Sequence, residues 1–507
     1  MQIDRKKNAI RNMAAGLVNR MFVMVVPVII RSLMINHMGE LYLGANNLFS
    51  TIIQVLSMSE LGISSAIVQS MYKPIAKSDK DTLCSLLDYY RKCYIVIGCV
   101  IMTAGMIVMP FLPHLIKGTP PEGINLYALY IIYLLNSVVS YFAFAYRGSL
   151  LSAFQREDIV SNVDTVIVVA KGILQIGAIL ITNNVYVYAI VQPVLTIAAN
   201  IIRAIITKKI YPDIIPKGKL EKSIKKEITT KIKGLFVNKI CAVSRNTLDN
   251  LYISKMFGLA DVAYYGNYYF VLYAVNILLN TINASVTAGI GNSVASESKE
   301  KNYRDFVKFN GIYMILSIWC CVFMMVLYQP FIAIFYGENC LYNISMPIAF
   351  CAYLFSLCMG SVLYIYANCE GLWYHFQVIS ILEVIGNVIL NYVFGKLFGI
   401  VGIVCATIVT IWLFNFAMGA RITFKKYFDR SPGRYYGTQI LFALLGIVLV
   451  SLCYFFANIF AIENILLMLC YKIAVCAIVP AGCFFVLFRK SAGYAFCIDL
   501  IKKIIRR

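Results

Sequence analysis

Charge is scarce in this sequence. Asp, Glu, Lys and Arg make up 14% of its 507 residues, against about 25% in an ordinary soluble domain. That shortage excludes a water-exposed surface over most of the chain. Histidine is rarer still: His37, His114 and His375 lie far apart, near the ends of apolar runs. They read as interfacial residues, since no Cys or His sits at metal-ligand spacing from them. Nucleotide motifs and long polar domains are both missing, so ATP hydrolysis is not expected. Cysteine is plentiful at 16 residues, yet no CxxC pair occurs. Scattered through apolar surroundings, these thiols read as small hydrophobic side chains.

What is present is apolar sequence. Hydrophobic residues reach 60% and the mean hydropathy is +0.76. Runs of about 20 apolar residues, each long enough to cross a hydrocarbon core about 30 Å thick, recur from end to end. Fourteen can be marked, from 14–35 and 41–70 at the start to 438–460 and 465–488 at the end. Only helices and closed barrels span lipid, and period-two alternation is absent, so the spans are helices. The fold class expected is an all-α polytopic membrane protein with about 14 transmembrane helices.

The first span follows "MQIDRKKNAIRN", which is basic and lacks a small-residue cleavage site, so it reads as a retained signal anchor. Lys and Arg outnumber Asp and Glu by 45 to 24, for a net charge of +21. Placement explains the excess without nucleic acid. Of the 45 basic residues, 36 fall in the N-terminus, the even-to-odd connections and the C-terminal tail. The odd-to-even connections hold Lys117 and Lys396, with Lys255 at an edge. This is the positive-inside pattern, and it places both termini in the cytoplasm of a multi-pass protein in the cytoplasmic membrane.

The longest polar segment, 207–233, divides the chain into halves that resemble each other. "INHM-GELYLGANNLF" at 35–49 matches "ISKMFGLADVAYYGNYYF" at 253–270, with Gly39 opposite Gly258 and Gly44 near Gly266. "AYRGSLLSAFQ" at 145–155 matches "ANCEGLWYHFQ" at 367–377, at an offset of 222 residues rather than 219. The organisation expected is a six-helix bundle at 1–206, a cytoplasmic linker at 207–233, a second six-helix bundle at 234–430, and two further spans with a basic tail at 431–507. An even number of spans per half gives a parallel pseudo-two-fold repeat, an arrangement that puts a substrate site between the halves.

Ionisable groups inside spans are costly, by about 2.5–3.5 kcal/mol at mid-bilayer on insertion scales, and mark candidate sites. Six cations lie there: Arg20, Arg31, Lys171, Lys239, Arg245 and Lys472; the acids are Glu60, Asp164, Asp249 and Glu383. Arg20 and Arg31 share one face of the first span, and Glu60 lies at a depth where it could neutralise Arg20. No acid stands within four residues of Arg31. Asp164, Lys171 and Gln175 share a face of the fifth span, and Glu383, Asn387 and Asn391 do so in the eleventh. Arg245 and Asp249 form an i, i+4 pair that could neutralise itself. Lys239 and Lys472 sit near span ends and snorkel. Asn276, Asn280, Asn283 and Thr287 line the eighth span, either facing a cavity or bonding between helices. The excess of cations suits an anionic substrate such as a phosphate, which Arg can hold bidentately.

Two stretches point to a family. "RSLMINHMGELYLGANNLFSTIIQVLSMSELGISSAI" at 31–67 and "NTLDNLYISKMFGLADVAYYGNYY" at 246–269, with its "DN…IS…FG…YG" spacing, resemble polysaccharide-biosynthesis transporters. These are the O-antigen and capsule repeat-unit flippases of the multidrug/oligosaccharidyl-lipid/polysaccharide exporter superfamily. The resemblance implies two six-helix bundles around a central cavity. Its implied substrate is a polyprenyl-pyrophosphate-linked oligosaccharide, moved outward by alternating access. Arg31, Arg20, Lys171 and Arg245 would then contact substrate. Asp249, Glu60, Glu383 and Asp164 would tune the cavity or bind a coupling proton or sodium ion, with no other cofactor. Membrane lipids, a polysaccharide polymerase and its chain-length machinery are the implied partners. Two alternatives stand beside this reading: an ion-coupled multidrug exporter, which favours an acidic cavity, and a membrane polymerase or glycosyltransferase, which needs larger outer loops than 113–123.

Overall fold

The computed structural model describes residues 5–488 apart from 61–62, 119 and 122. Within that range the side chains of 5–7, 9–10, 59, 231, 233–239, 242, 245–246, 288 and 373 lie outside the described set. The described residues are helical throughout, with no strand. They form two compact units, 1–263 and 264–507.

The first unit starts with α1 (Arg5–Met38), α2 (Glu40–Leu56), a 3-10 turn at Ser57–Glu60, and α3 (Ile63–Lys77). It continues through α4 (Lys80–Val108), α5 (Leu126–Phe142), α6 (Gly148–Ala153), α7 (Glu157–Gly177), α8 (Val185–Ile210) and α9 (Lys222–Met256). The first turn of α10 (Leu259–Ser296) also belongs to this unit. Helices in lipid gain little from excluding apolar surface and associate through close packing of small residues. Gly44 is the clearest case. A Cβ there would lie 1.9 Å from the Leu259 carbonyl oxygen, so only glycine lets α2 lie this close to α10. The linker is seated on the start of α4: Ile214 is buried, and Lys80 pairs with Asp213 at 2.6 Å. That hydrogen bond holds the Asp213 carboxyl below its ordinary range.

The second unit contains the rest of α10, then α11 (Lys299–Tyr336), α12 (Ser345–Met359), α13 (Ser361–Cys369), α14 (Trp373–Thr410) and α15 (Gly419–Thr423). α16 (Gly433–Ala457) and α17 (Ile465–Phe488) complete it, both packed on α11. Tyr435 at the start of α16 donates its hydroxyl to the Met359 carbonyl at 2.7 Å. Trp319 on α11 donates its indole N–H to the Cys476 carbonyl at 2.8 Å.

The backbone carries the repeat more clearly than the sequence does. Helix starts at 40 and 259, 80 and 299, and 126 and 345 are each 219 residues apart. Gly39 and Gly258, at φ +100° and +119°, each donate a backbone N–H to the carbonyl five residues back. Asp79 caps α4 by accepting from Thr82 N, and Ser298 caps α11 by accepting from Lys301 N, again 219 apart. The same register aligns "LVNRM" at 17–21 with "FVNKI" at 236–240. After the bend between α5 and α6 the offset falls to 216. The turn at Phe154, Gln155 and Arg156 has the same hydrogen bonds as that at Glu370, Gly371 and Leu372, and Asn183 and Gly399 both break helices at positive φ. The sequence match pairing Gln155 with Gln377 is therefore six residues out of register. Gln377 lies inside α14, whereas Gln155 is a turn residue at φ +58°.

Among the described residues, ten helices are long and apolar enough to cross a membrane, or eleven if α5 and the segment Ala145–Ala153, bent by 50°, make one span. The expected count of 14 is not confirmed: two runs lack a helix of that kind, and two others lie within one continuous segment. The run at 41–70 breaks at Ser57–Glu60, leaving α2 with 17 residues. The run at 234–257 is the end of α9, whose first turns, "KSIKKEITTKIK", are polar. The runs at 373–396 and 399–422 form one continuous apolar segment of 55 residues, Tyr374–Phe428, in which non-helical Gly399 separates two helices. At 1.5 Å per residue that segment would reach roughly 80 Å if straight. It bends at Gly399, the repeat position of the α7–α8 turn residue Asn183.

Candidate functional site

The polar side chains expected in spans fall into three groups, two of them in the first unit. One surrounds Arg31. Its Nη1 donates to Asn47 Oδ1 at 3.3 Å, and Asn47 Nδ2 donates to the Val262 carbonyl at 3.3 Å. The neighbouring Asn46 accepts the Tyr133 hydroxyl. Tyr188 on α8 lies within electrostatic range of both Arg31 and Tyr133. Gln175 on α7 reaches the same place, donating its amide to the Tyr188 carbonyl at 3.4 Å. Five helices thus converge on one half-buried guanidinium.

Lys171 lies one turn before Gln175. It forms no hydrogen bond or ion pair among the described residues. The two share the protein-facing side of α7 with Asp164, while Val166 and Ile173 on the opposite side are 64% and 65% exposed, as lipid-facing residues are. Asp164 does not answer Lys171. It bonds to Arg203 of α8, a cation that the span reading had not singled out, between helices rather than along one.

The second group is centred on Glu60, in the 3-10 turn where α2 ends. Tyr94 donates to its Oε1 at 2.7 Å and Tyr141 to its Oε2 at 2.6 Å, while Tyr90 donates to Tyr94 at 2.7 Å. Among the described residues no ion pair joins Glu60 to Arg20, which is exposed on α1; the Glu60 carboxylate is met by the two phenols. Asp249 on α9 is 2% exposed, and its neighbour Asn250 donates to Thr51 at 2.9 Å. The side chains of Arg245 and Lys239 lie outside the described residues.

The third group is in the second unit. Glu383, 4% exposed, accepts from Asn415 at 3.5 Å. Asn387 donates to Thr407 at 3.0 Å, and Asn391 to Asn387 at 3.1 Å. Of the eighth-span stripe, Asn283 is buried whereas Asn280 and Thr287 are exposed. Lys472 is buried and donates to Asn458 at 2.7 Å, a specific partner where snorkelling was expected. None of the described cysteines forms a disulfide, and no described group of His, Cys, Asp and Glu is arranged for a metal.

No curated protein matches this sequence significantly. Among solved structures, an inward-facing multidrug resistance MATE family transporter of the MOP superfamily is similar at a TM-score of 0.61 and 14% identity, covering 82% of this chain and 98% of that one. The lipid II flippase MurJ, in an inward closed conformation, matches at 0.60 and 16% identity, covering 94% and 99%. A Vibrio cholerae MATE transporter, VcmN, matches at 0.59 and 15% identity, covering 84% and 98%. At such identities the likeness is one of fold. A family profile described as polysaccharide biosynthesis protein matches residues 6–288, more than half of the sequence. This all-α, multi-pass membrane chain belongs to the polysaccharide biosynthesis protein family.

Proposed function

We propose that the protein flips a polyprenyl-pyrophosphate-linked oligosaccharide across the cytoplasmic membrane by alternating access, supplying surface-polysaccharide assembly. The observation that carries this reading is the amide-rich cluster around Arg31 in the first unit, with Lys171 one turn from Gln175 on α7, in a chain of the polysaccharide biosynthesis family. An anionic headgroup entering such a cluster replaces lost hydration with charge-assisted hydrogen bonds. Arg20 and Arg245 are further candidates for substrate contact. Glu60, Asp164, Asp249 and Glu383 are candidates for tuning the cavity or for a coupling proton or sodium ion. Both termini face the cytoplasm on this reading, and the polymerase and chain-length machinery act on the delivered product.

The fold is also that of MATE exporters, so export of small organic cations is the second reading. It calls for a cavity dominated by acids, against which Arg31 and Lys171 count. The test is the leaflet distribution of lipid-linked oligosaccharide after the protein is depleted. Accumulation on the cytoplasmic leaflet is expected. Normal translocation without the protein would overturn the proposal.

A further inference from the structure

The polar faces of α7 and α14 occupy equivalent positions of the repeat. At the 216-residue offset, Lys171 corresponds to Asn387 and Gln175 to Asn391. The second copy binds to itself, through Asn391 to Asn387 and Asn387 to Thr407. The first copy does not. Lys171 has no partner among the described residues, and Gln175, only 1% exposed, has a buried Oε1 that receives no hydrogen bond. Because the Tyr188 carbonyl can only accept, it fixes the amide with nitrogen toward Tyr188 and oxygen away from it. An acceptor this deeply buried and left unmet is destabilising, and an unpaired intramembrane ammonium is more so. At the equivalent of Lys171, Asn387 is bonded to Thr407 and Asn391, so the ammonium has no counterpart cost there; the Asn391 Oδ1, like the Gln175 Oε1, is a buried acceptor that receives no hydrogen bond.

We propose that Lys171 and Gln175 form a subsite, confined to the first repeat, for an anionic group that also carries a hydroxyl, such as a uronate or a glycosyl phosphate. The inference rests on the transport reading and specifies its substrate. Lys171 offers donors only and takes the anionic oxygen. Gln175 Oε1 offers an acceptor only and takes a hydroxyl proton from the same sugar. The two Cα atoms are one helical turn, about 6 Å, apart along α7, within the span of one monosaccharide. An anion with no hydroxyl can satisfy Lys171 alone.

The test is binding to the full-length protein in zwitterionic nanodiscs, with glucuronate and glucose 1-phosphate as probes and sulfate as the anion without a hydroxyl. The wild type should prefer both sugars to sulfate. Lys171→Met should weaken sugar binding at least tenfold, Lys171→Arg should retain it, and Gln175→Met should abolish the preference over sulfate. Asn387→Leu should leave all three unchanged. Equal binding by Lys171→Met with an unaltered elution profile overturns the subsite, as does an Asn387→Leu loss of the same size. Nanodiscs with phosphatidylglycerol provide the second arm. Lys171-dependent stabilisation by that lipid, with none by glucuronate, supports the subsite and assigns it to a phospholipid headgroup. Oligosaccharide flipping that survives Lys171→Met overturns the subsite and leaves the flippase reading standing. Sugar binding without any flipping overturns the flippase reading alone.

Discussion

Glu60 provides the sharpest test of the packing. Both of its carboxylate oxygens accept from buried tyrosines, at 2.7 Å from Tyr94 and 2.6 Å from Tyr141, and each hydrogen bond to an ionised group contributes about 1.5–3 kcal/mol. Glu60→Leu removes both and strands two phenolic hydroxyls, whose residues are each 7% exposed. The expected loss is roughly 3–5 kcal/mol, or about 5–10 °C in melting temperature at roughly 2 °C per kcal/mol for a chain of this size. Tyr94→Phe and Tyr141→Phe should each lose about half as much. Glu60→Gln keeps an acceptor and should be the mildest change. The assay is thermal unfolding of purified protein in detergent, with a double-mutant cycle between Glu60→Leu and Tyr94→Phe. A coupling of about 1.5–3 kcal/mol is expected. A neutral Glu60→Leu, or an equal coupling of Glu60 to Arg20, would refute the assignment of the two tyrosines as its partners.

Lys171→Met should raise the melting temperature while impairing transport, because it removes an unpaired ammonium whose burial costs about 2.5–3.5 kcal/mol on insertion scales; a fall in melting temperature contradicts its lack of a partner. Asp164→Ala and Arg203→Ala should be non-additive by about 0.5–3 kcal/mol in unfolding, whereas Asp164→Ala and Lys171→Ala should add. Gly44→Ala should lower stability, since the new Cβ would meet the Leu259 carbonyl 1.9 Å away; unchanged melting rules out that approach of α2 to α10. Asp79→Ala should cost about 1 kcal/mol as a lost helix cap. Thr82 holds the Asp79 carboxyl below its ordinary pKa, so that contribution should be complete above the unfolded value and fade as pH falls through the folded one. Melting curves of both proteins at neutral and acid pH check the sign.

Helical angle was enough to put Asp164, Lys171 and Gln175 on one face, and the same holds for Glu383, Asn387 and Asn391. It could not say what each face meets. Asp164 is answered by Arg203, 39 residues away, and Glu60 by tyrosines 34 and 81 residues away. Tyrosine in an apolar run looks like packing until its hydroxyl is seen against a carboxylate. Arg203 was hidden differently, in the last turns of its run, where a cation counts with the basic connection that follows.

The sequence by itself determined that this chain is a bundle of membrane-spanning helices, and it carries two halves that resemble each other. Those properties follow from composition and from a periodicity that repeats every few residues. Only the tertiary structure decided the register of the duplication, because positive-φ turns and caps mark it where side chains have diverged. It also decided which buried charges are answered. Apolar helices slide and rotate against one another with little change in what their own sequences show, so a partner is fixed by packing. Arg20 and Arg31, three turns apart on one helix, end in different surroundings for that reason.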